Sequence, residues 1–256
     1  MNPDWRNRYE EMVELAQRAG EHALRYFDRG VAIETKADLT PVTVADREAE
    51  QLLREELLKR FPEDGFLGEE FGEQPSPSGY RWIIDPIDAT RNFVRNIPLW
   101  ATLVALEHRA DMIAGVCCIP ALGQTYRALR GDGAYRGDRR IRVSDVESLD
   151  KALLSYTSFS VFEETGTTGQ FSRLLRATER SRGFTDFYGF VLVAQGSVDV
   201  MFDSGVHIWD IAPLQVIVEE AGGRFTCWDG ARDLTRPDVL ASNSRLHSQA
   251  LELLSG

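Results

Sequence analysis

Between residues 4 and 28 the apolar side chains recur at helical spacing. Trp5, Tyr9, Met12, Val13, Leu15, Ala16, Ala19, Ala23, Leu24 and Phe27 fall near one stripe, with acids and arginines between them. The pattern predicts a helix there, with Gly30 as its stop. A second helical pattern covers 46–60, with Leu52, Leu53, Leu57 and Leu58 as its apolar members, and Phe61-Pro62 ends it. Gly65-Phe66-Leu67-Gly68 reads as a short strand running out into Glu69 and Glu70. Strand-like runs follow at 80–85, 99–107, 111–119 and 124–129, with Arg109-Ala110 placed to turn a hairpin. Residues 131–138 are dense in turn signals. Further on, strands are predicted at 152–157, 198–202 and 224–228. Helices are predicted at 167–178, 187–196, 209–221 and 244–254, with Gly222-Gly223 stopping the third.

The strands come in hairpins and groups between helices, not in strict strand–helix alternation. That order predicts an α+β fold of layered sheets with helices between them. Neither a glycine-rich dinucleotide fingerprint nor a Walker loop is present, and no internal repeat or long linker interrupts the chain.

Composition narrows the class. The chain has 256 residues, 43% of them hydrophobic and 27% charged, which is ordinary for a folded, water-soluble protein. No run approaches the apolar length of a membrane helix, and the N-terminus lacks a signal-peptide pattern, so a cytoplasmic protein without a membrane partner is expected. The net charge of −11 argues against nucleic acid as a partner. It either keeps the protein soluble or is focused in a cleft that concentrates cations. Cys117 and Cys118 are adjacent in a strand-like run and should face opposite ways. With Cys227 they read as buried, reduced thiols.

The positions of the acids change the picture most. Asp85 and Asp88 stand three residues apart at the end of Trp82-Ile83-Ile84, and a polar segment able to open a helix follows at once. Glu69 and Glu70 end another apolar run. Asp46 and Asp210 each open a helix after apolar segments. Alone, Asp46 or Asp210 reads as a helix cap and Glu69-Glu70 as a solvated pair. Together, such acids meeting without cations would repel one another and lose solvation; Mg²⁺, a hard cation that prefers oxygen ligands, removes that cost. His207 reads as a packed or hydrogen-bonded histidine, because hard Mg²⁺ disfavours imidazole. Trp82, Trp100 and Trp209 read as core.

Four segments in order carry a resemblance. They are Lys36 with Val42-Thr43-Val44-Ala45-Asp46, then Gly68-Glu69-Glu70, then Trp82 through Phe93, and Trp209-Asp210-Ile211-Ala212 closed by Glu220-Ala221-Gly222-Gly223. In these the chain resembles the inositol monophosphatase superfamily of Mg²⁺-dependent, lithium-sensitive phosphatases. The resemblance implies a layered α-β-α-β-α sandwich forming one catalytic domain over 1–256, in two halves of about 1–148 and 149–256. It implies two or three Mg²⁺ ions, a small phosphate ester as substrate and a homodimer. Glu69, Asp85 and the Ile87 carbonyl would bind the first metal, and Asp85, Asp88 and Asp210 the second. Glu69 would also hold a weaker third ion. Asp88 lies against the phosphate site, and the N–H groups of Ala89 and Thr90 would hold the phosphate. Asp46 and Thr90 would orient the attacking water, with Lys36 as a possible auxiliary.

One departure stands out. The family has glycine where this chain has Ala89. A helix start calls for negative φ, so Ala89 is expected to keep φ negative, leaving an active enzyme with altered phosphate contacts. As to substrate, Asn92 through Thr102, Leu154 through Ser158 and Arg182 through Phe187 resemble the histidinol-phosphate phosphatase branch. That branch carries an acid where Asp186 stands. Asp186, with Asp203 near it in the pattern, would pair with the cationic end of histidinol phosphate; the alternative is that Asp186 caps the next helix. Gly205 through Asp210 looks instead like the inositol enzymes, so inositol monophosphate is the second expectation. Sugar bisphosphates and 3′-phosphoadenosine phosphate follow behind. A family member that has lost catalysis and serves as a binding partner is the rival of another class; retention of Glu69, Asp85, Asp88 and Asp210 argues against it.

Overall fold

The computed structural model describes residues 2–29, 33–35, 41–184 and 186–255. Five layers stack as helices, sheet, helices, sheet, helices. Helices α1 (Pro3–Leu24) and α2 (Val44–Arg60) form the first, next to a small ribbon of β1 (Ile33–Thr35) and β2 (Pro41–Thr43). They cover a sheet made of β3 (Gly65–Gly68), β4 (Gly72–Gln74), β5 (Tyr80–Asp88), β6 (Ala101–His108), β7 (Asp111–Ile119), β8 (Gln124–Leu129), β9 (Gly133–Arg136) and β10 (Arg139–Arg140). Its order is β10-β9-β8-β7-β6-β5-β3-β4. All neighbours pair antiparallel except β3 and β5, which are parallel.

A short α3 (Thr90–Phe93) follows β5. The second sheet contains β11 (Leu153–Tyr156), β12 (Arg180–Gly183), β13 (Val200–Ser204), β14 (Gly223–Thr226) and β15 (Asp238–Asn243), in the order β12-β11-β13-β15-β14. Helices α4 (Phe159–Glu164), α5 (Thr168–Ala177) and α8 (His247–Leu254) cover its outer side. Between the two sheets lie α6 (Asp186–Ala194) and α7 (Ile208–Glu220).

Burial explains the order. Strand β5 is buried on both faces: Trp82 and Ile84 pack toward α1 and α2, while Ile83 packs toward α6 and α7. That is why its sequence is a continuous apolar run. Helices α6 and α7 are apolar nearly all round, as a layer between two sheets must be. Helix α7 lies so close to the first sheet that a Cβ at Gly115 would stand 2.3 Å from the Pro213 carbonyl oxygen, so only glycine fits there. Arg109 and Ala110 turn the β6–β7 hairpin with φ of 52° and 69°, the mirror-image turn that suits strand twist.

The layered α+β expectation holds. Cys117 faces the middle layer and Cys118 the α1 side, and both are free, as is Cys227. Helix α1 ends at Leu24, short of 28; the expected stop at Gly30 lies outside the described residues. The segment 131–138 contains β9 as well as turns. Strand β15, unassigned from sequence, is interior to its sheet. Among the described residues no helix is long and apolar enough to cross a membrane.

Candidate active site

Asp85 and Asp88 end β5, and a spacing of three puts side chains on opposite faces of a regular strand. Here the pairing with β6 slips: Asp85 lies opposite Leu103 and Asp88 opposite Ala101, so β5 carries one extra residue. This bulge turns Asp88 back to the side of Asp85. Pro86, which has no N–H to offer the ladder, sits in it, and its carbonyl accepts from the Thr102 hydroxyl at 2.9 Å. The Asp85 carboxylate accepts the Ile87 N–H at 2.9 Å. Ligand oxygens of Asp85, Asp88 and Asp210 all lie within 4.8 Å of one another.

Asp46 and Asp210 reach the site from two helices, each three residues past its N-cap. Asp46 Oδ2 accepts the Thr43 N–H at 2.7 Å and the Thr43 hydroxyl at 2.5 Å. Its Oδ1 lies 3.4 Å from the Thr90 hydroxyl, which also donates to the Ile87 carbonyl at 3.0 Å. Asp210 Oδ2 accepts the His207 N–H at 2.7 Å. One oxygen of each acid serves its helix, as the cap reading has it, and each carboxylate also lies in the field of Glu69. His207 itself is exposed and stacks on the half-buried Trp209, ring centroids 5.0 Å apart. Trp82 and Trp100 are fully buried core.

Glu69 follows β3, its N–H bonded to the Ile84 carbonyl at 3.2 Å, and its carboxyl hydrogen-bonds that of Asp85. Beneath it lies Glu50 on α2, fully buried, which accepts the N–H groups of Glu70 at 2.8 Å and Phe71 at 3.0 Å. The sequence reading missed Glu50. The available signal was spacing: Asp46, Glu50, Leu53 and Leu57 form one buried stripe on α2, so Glu50 occupies a core position.

On the other side, Asp186 begins α6, and the next N–H, that of Phe187, donates to Asp88 at 3.1 Å. Asp203, on β13, accepts the Ser204 N–H at 2.8 Å and the Thr157 hydroxyl. Asp186 bears electrostatically on Asp88, Asp203 and Asp210, so it belongs to the same acidic field. Lys36 and Thr185 lie outside the described residues.

Ala89 corrects an expectation. Its φ is 66° and ψ 46°, the left-handed region, and not the negative φ a helix start calls for. The reversal out of the bulge is completed at this one residue, immediately before α3. Alanine there bears a strain of about 1–2 kcal/mol that glycine would not. The carbonyl of Ala89 still accepts from Asn92 at 2.8 Å and Phe93 at 3.1 Å, so the turn forms despite the methyl group. The first N–H groups of α3 have no partner within the helix and point out of its start.

The electrostatics are those of crowded carboxylates. Burial, then the charges of Glu69, Asp88 and Asp210, hold the Asp85 carboxyl well above the usual range. Burial, then Asp186 and Asp210, does the same to Asp88. Burial, with Glu69 among the neighbouring charges, pushes Asp210 up to about 8 against the pull of the His207 N–H. Burial takes Asp46 to about 6, Asp203 to about 7 and Glu50 to about 7, each against hydrogen bonds that lower it. The donor set is all oxygen, carboxylates with the Ile87 carbonyl beside them. It fits a hard divalent cation, whose charge reverses these shifts.

The whole sequence places this arrangement among known proteins. It matches the profile of the inositol monophosphatase family over residues 4–255. A histidinol-phosphatase of Mycobacterium tuberculosis is 41% identical over 247 residues, 94% of this chain and 95% of that protein. An inositol-1-monophosphatase of Mesorhizobium japonicum is 34% identical over 250 residues, 94% of this chain and 93% of that one. The solved structure of the extragenic suppressor protein suhB from Bartonella henselae superposes with a TM-score of 0.88 at 31% identity, covering 95% of this chain and 96% of that chain. With its fold and nearly its full length matched in this way, the chain belongs to the inositol monophosphatase family.

Proposed function

We propose that this phosphatase hydrolyses histidinol phosphate to histidinol with Mg²⁺ as its cofactor. The observation that carries the substrate is the second acidic group, Asp186 with Asp203, bordering Asp88 and Asp210. A cationic leaving group gains from carboxylates there, whereas a neutral polyol gains nothing comparable. The 41% identity to a protein named histidinol-phosphatase supports the same reading.

In this reading Glu69, Asp85 and the Ile87 carbonyl would hold one ion, and Asp85, Asp88 and Asp210 a second. Glu69 contributes to a weaker third. Ions bound there would supply a water of lowered pKa and neutralise charge on the phosphoryl oxygens. The N–H groups of Ala89 and Thr90 hold the phosphate against Asp88. Thr90 Oγ1 orients the attacking water, and Asp46 Oδ1, 3.4 Å from that hydroxyl, takes up the proton. No side chain is required as a nucleophile. Asp186 and Asp203 receive the substrate amine or imidazole. The same reading carries lithium inhibition, a homodimer and a cytoplasmic location.

Inositol monophosphate is the second reading, favoured by Gly205 through Asp210 and by the 34% identical relative named for that substrate. One substrate panel decides: kcat/KM for histidinol phosphate, inositol 1-phosphate, fructose bisphosphate, 3′-phosphoadenosine phosphate and glycerol phosphate, for wild type and Asp186→Ala. A charge-assisted contact of about 1.5–3 kcal/mol predicts a loss of roughly 10- to 100-fold on histidinol phosphate and little on glycerol phosphate. Equal losses would reduce Asp186 to a structural role, and full activity after exhaustive chelation would remove the cation from the reaction.

A further inference from the structure

Glu50 is fully buried in α2, yet its carboxylate is spent on neither a helix cap nor an ion pair among the bonds described. It grips two successive backbone N–H groups, those of Glu70 and Phe71, at 2.8 and 3.0 Å. These are the two residues after Glu69 in the turn between β3 and β4, where Gly68 pairs with Gly72. The N–H of Glu69 is tied to the Ile84 carbonyl on β5. Three consecutive amides are therefore held, one by the sheet and two by Glu50, and the Glu69 side chain projects from between the first and second of them.

Gly68 makes room for it. A Cβ at that position would stand 1.9 Å from Glu50 Oε1 and 2.4 Å from its carboxyl carbon. The space beside β3 that a side chain at 68 would fill is taken by the Glu50 carboxylate. The two residues form one device, separated by 18 positions in sequence and joined only by the fold.

We infer that Glu50 is a positioning residue: with Gly68 it clamps the 69–71 turn and so sets the direction in which Glu69 presents its carboxylate to the bound cation. The inference rests on the cation-dependent reading above and adds to it a residue that never touches the ion or the substrate. A merely structural role would move stability alone, whereas this role moves cation affinity. Groups behind a metal ligand change affinity by about 10- to 100-fold when removed.

The test uses the full chain as wild type, Glu50→Gln, Glu50→Ala, Gly68→Ala and the double variant Glu50→Ala/Gly68→Ala. Mg²⁺ and Mn²⁺ affinities are read by titration calorimetry, and melting is followed in EDTA. Glutamine fills the same volume but places an N–H donor against one of the two amides. Gly68→Ala leaves Glu50 intact and displaces its carboxylate. Both are expected to weaken Mg²⁺ on the order of tenfold. Their kcat should return toward wild type at saturating Mg²⁺, with substrate KM little changed. In the Glu50→Ala background the methyl at 68 enters vacated space, so the double variant should bind no more weakly than Glu50→Ala alone. If Glu50→Ala does not fold, Glu50→Gln and Gly68→Ala carry the test. Wild-type Mg²⁺ affinity in both of those, with wild type itself binding, overturns the inference and leaves the proposed function standing. A wild-type protein that binds no Mg²⁺ overturns that reading and this one with it.

Discussion

Asp210→Asn is expected to stabilise the cation-free protein while weakening its response to Mg²⁺. The Asp210 carboxyl rises from 3.8 to about 8 on folding, through burial first and then neighbouring acids. The folded state is thus the tighter proton binder, so the group's favourable contribution is complete below about pH 4 and is lost as pH climbs through about 8. At pH 7 the native protein sits roughly three pH units above the unfolded value, which corresponds to ~4 kcal/mol of destabilisation. Water reaching this half-buried group reduces that, and we expect ~2 kcal/mol. Asparagine keeps the volume, and its oxygen can still accept the His207 N–H that Asp210 accepts at 2.7 Å. For a chain of this size the gain is roughly 4–8 °C in Tm. Melting curves in EDTA at pH 7 and pH 4 check it: the variant should melt higher at pH 7 and about level with wild type at pH 4. Adding Mg²⁺ should then raise the wild type by mass action and raise the variant, which keeps the Glu69–Asp85–Ile87 ligands but loses one of the second set, by less. A variant that melts below wild type at pH 7 in EDTA, or shows the same gain at both pH values, would refute the idea that crowded charge is stored at this site.

Two further expectations concern neighbouring residues. Ala89→Gly should raise Tm slightly, because relief of about 1–2 kcal/mol of left-handed strain outweighs the ~0.4–1 kcal/mol lost to a freer unfolded chain, while Ala89→Val should lower it; a lower Tm for the glycine variant would contradict the φ of 66°. Asp46, at about 6, must be ionised to take up a proton, so kcat should fall as pH drops below 6, and Asp46→Asn should erase that limb and reduce kcat by about 10²–10⁴; an unchanged pH profile in the variant would remove Asp46 from proton transfer.

Periodicity made most of the framework legible. Helices α1, α2 and α7 and strands β5 to β8 each carry one dominant pattern, because each buries one face against one layer or both faces against two. Strand β15 escaped because its buried end is polar. Ser242 and Asn243 are fully buried, satisfied by His247, Ser144 and the Val146 carbonyl, and such partners are invisible until the chain folds. Strand β9 was hidden by the turn glycines Gly131 and Gly137 on either side of it and by Gly133 at its start. At the site, acids that end apolar runs were visible, as were helix starts. What was not visible was the bulge in β5, and Ala89 went wrong for that reason: the segment after Asp88 looks like an ordinary helix start, but the chain leaves the bulge in a direction that only a left-handed residue can correct. Glu50 went unnoticed because a carboxylate on a helix defaults to solvent, and only the closeness of Gly68 shows where this one goes.

A common economy runs through the acidic cluster. Asp46 holds the Thr43 N–H, Asp85 that of Ile87, Asp88 that of Phe187, Asp203 that of Ser204 and Asp210 that of His207. Each acid is tied to backbone through one of its own oxygens; for four of them that backbone lies within three residues of the acid, and for Asp88 it is the start of α6. Carboxylates on free side chains would rotate apart when no cation is present and relax the repulsion between them. These cannot, since moving apart would break a charge-assisted hydrogen bond worth about 1.5–3 kcal/mol for each. Proton uptake is the cheaper response, and the raised carboxyl values are its signature. Protons therefore hold the buried, crowded acids in place in the folded protein, and a divalent cation that displaces those protons meets ligands already aimed at it, with little reorganisation left to oppose binding.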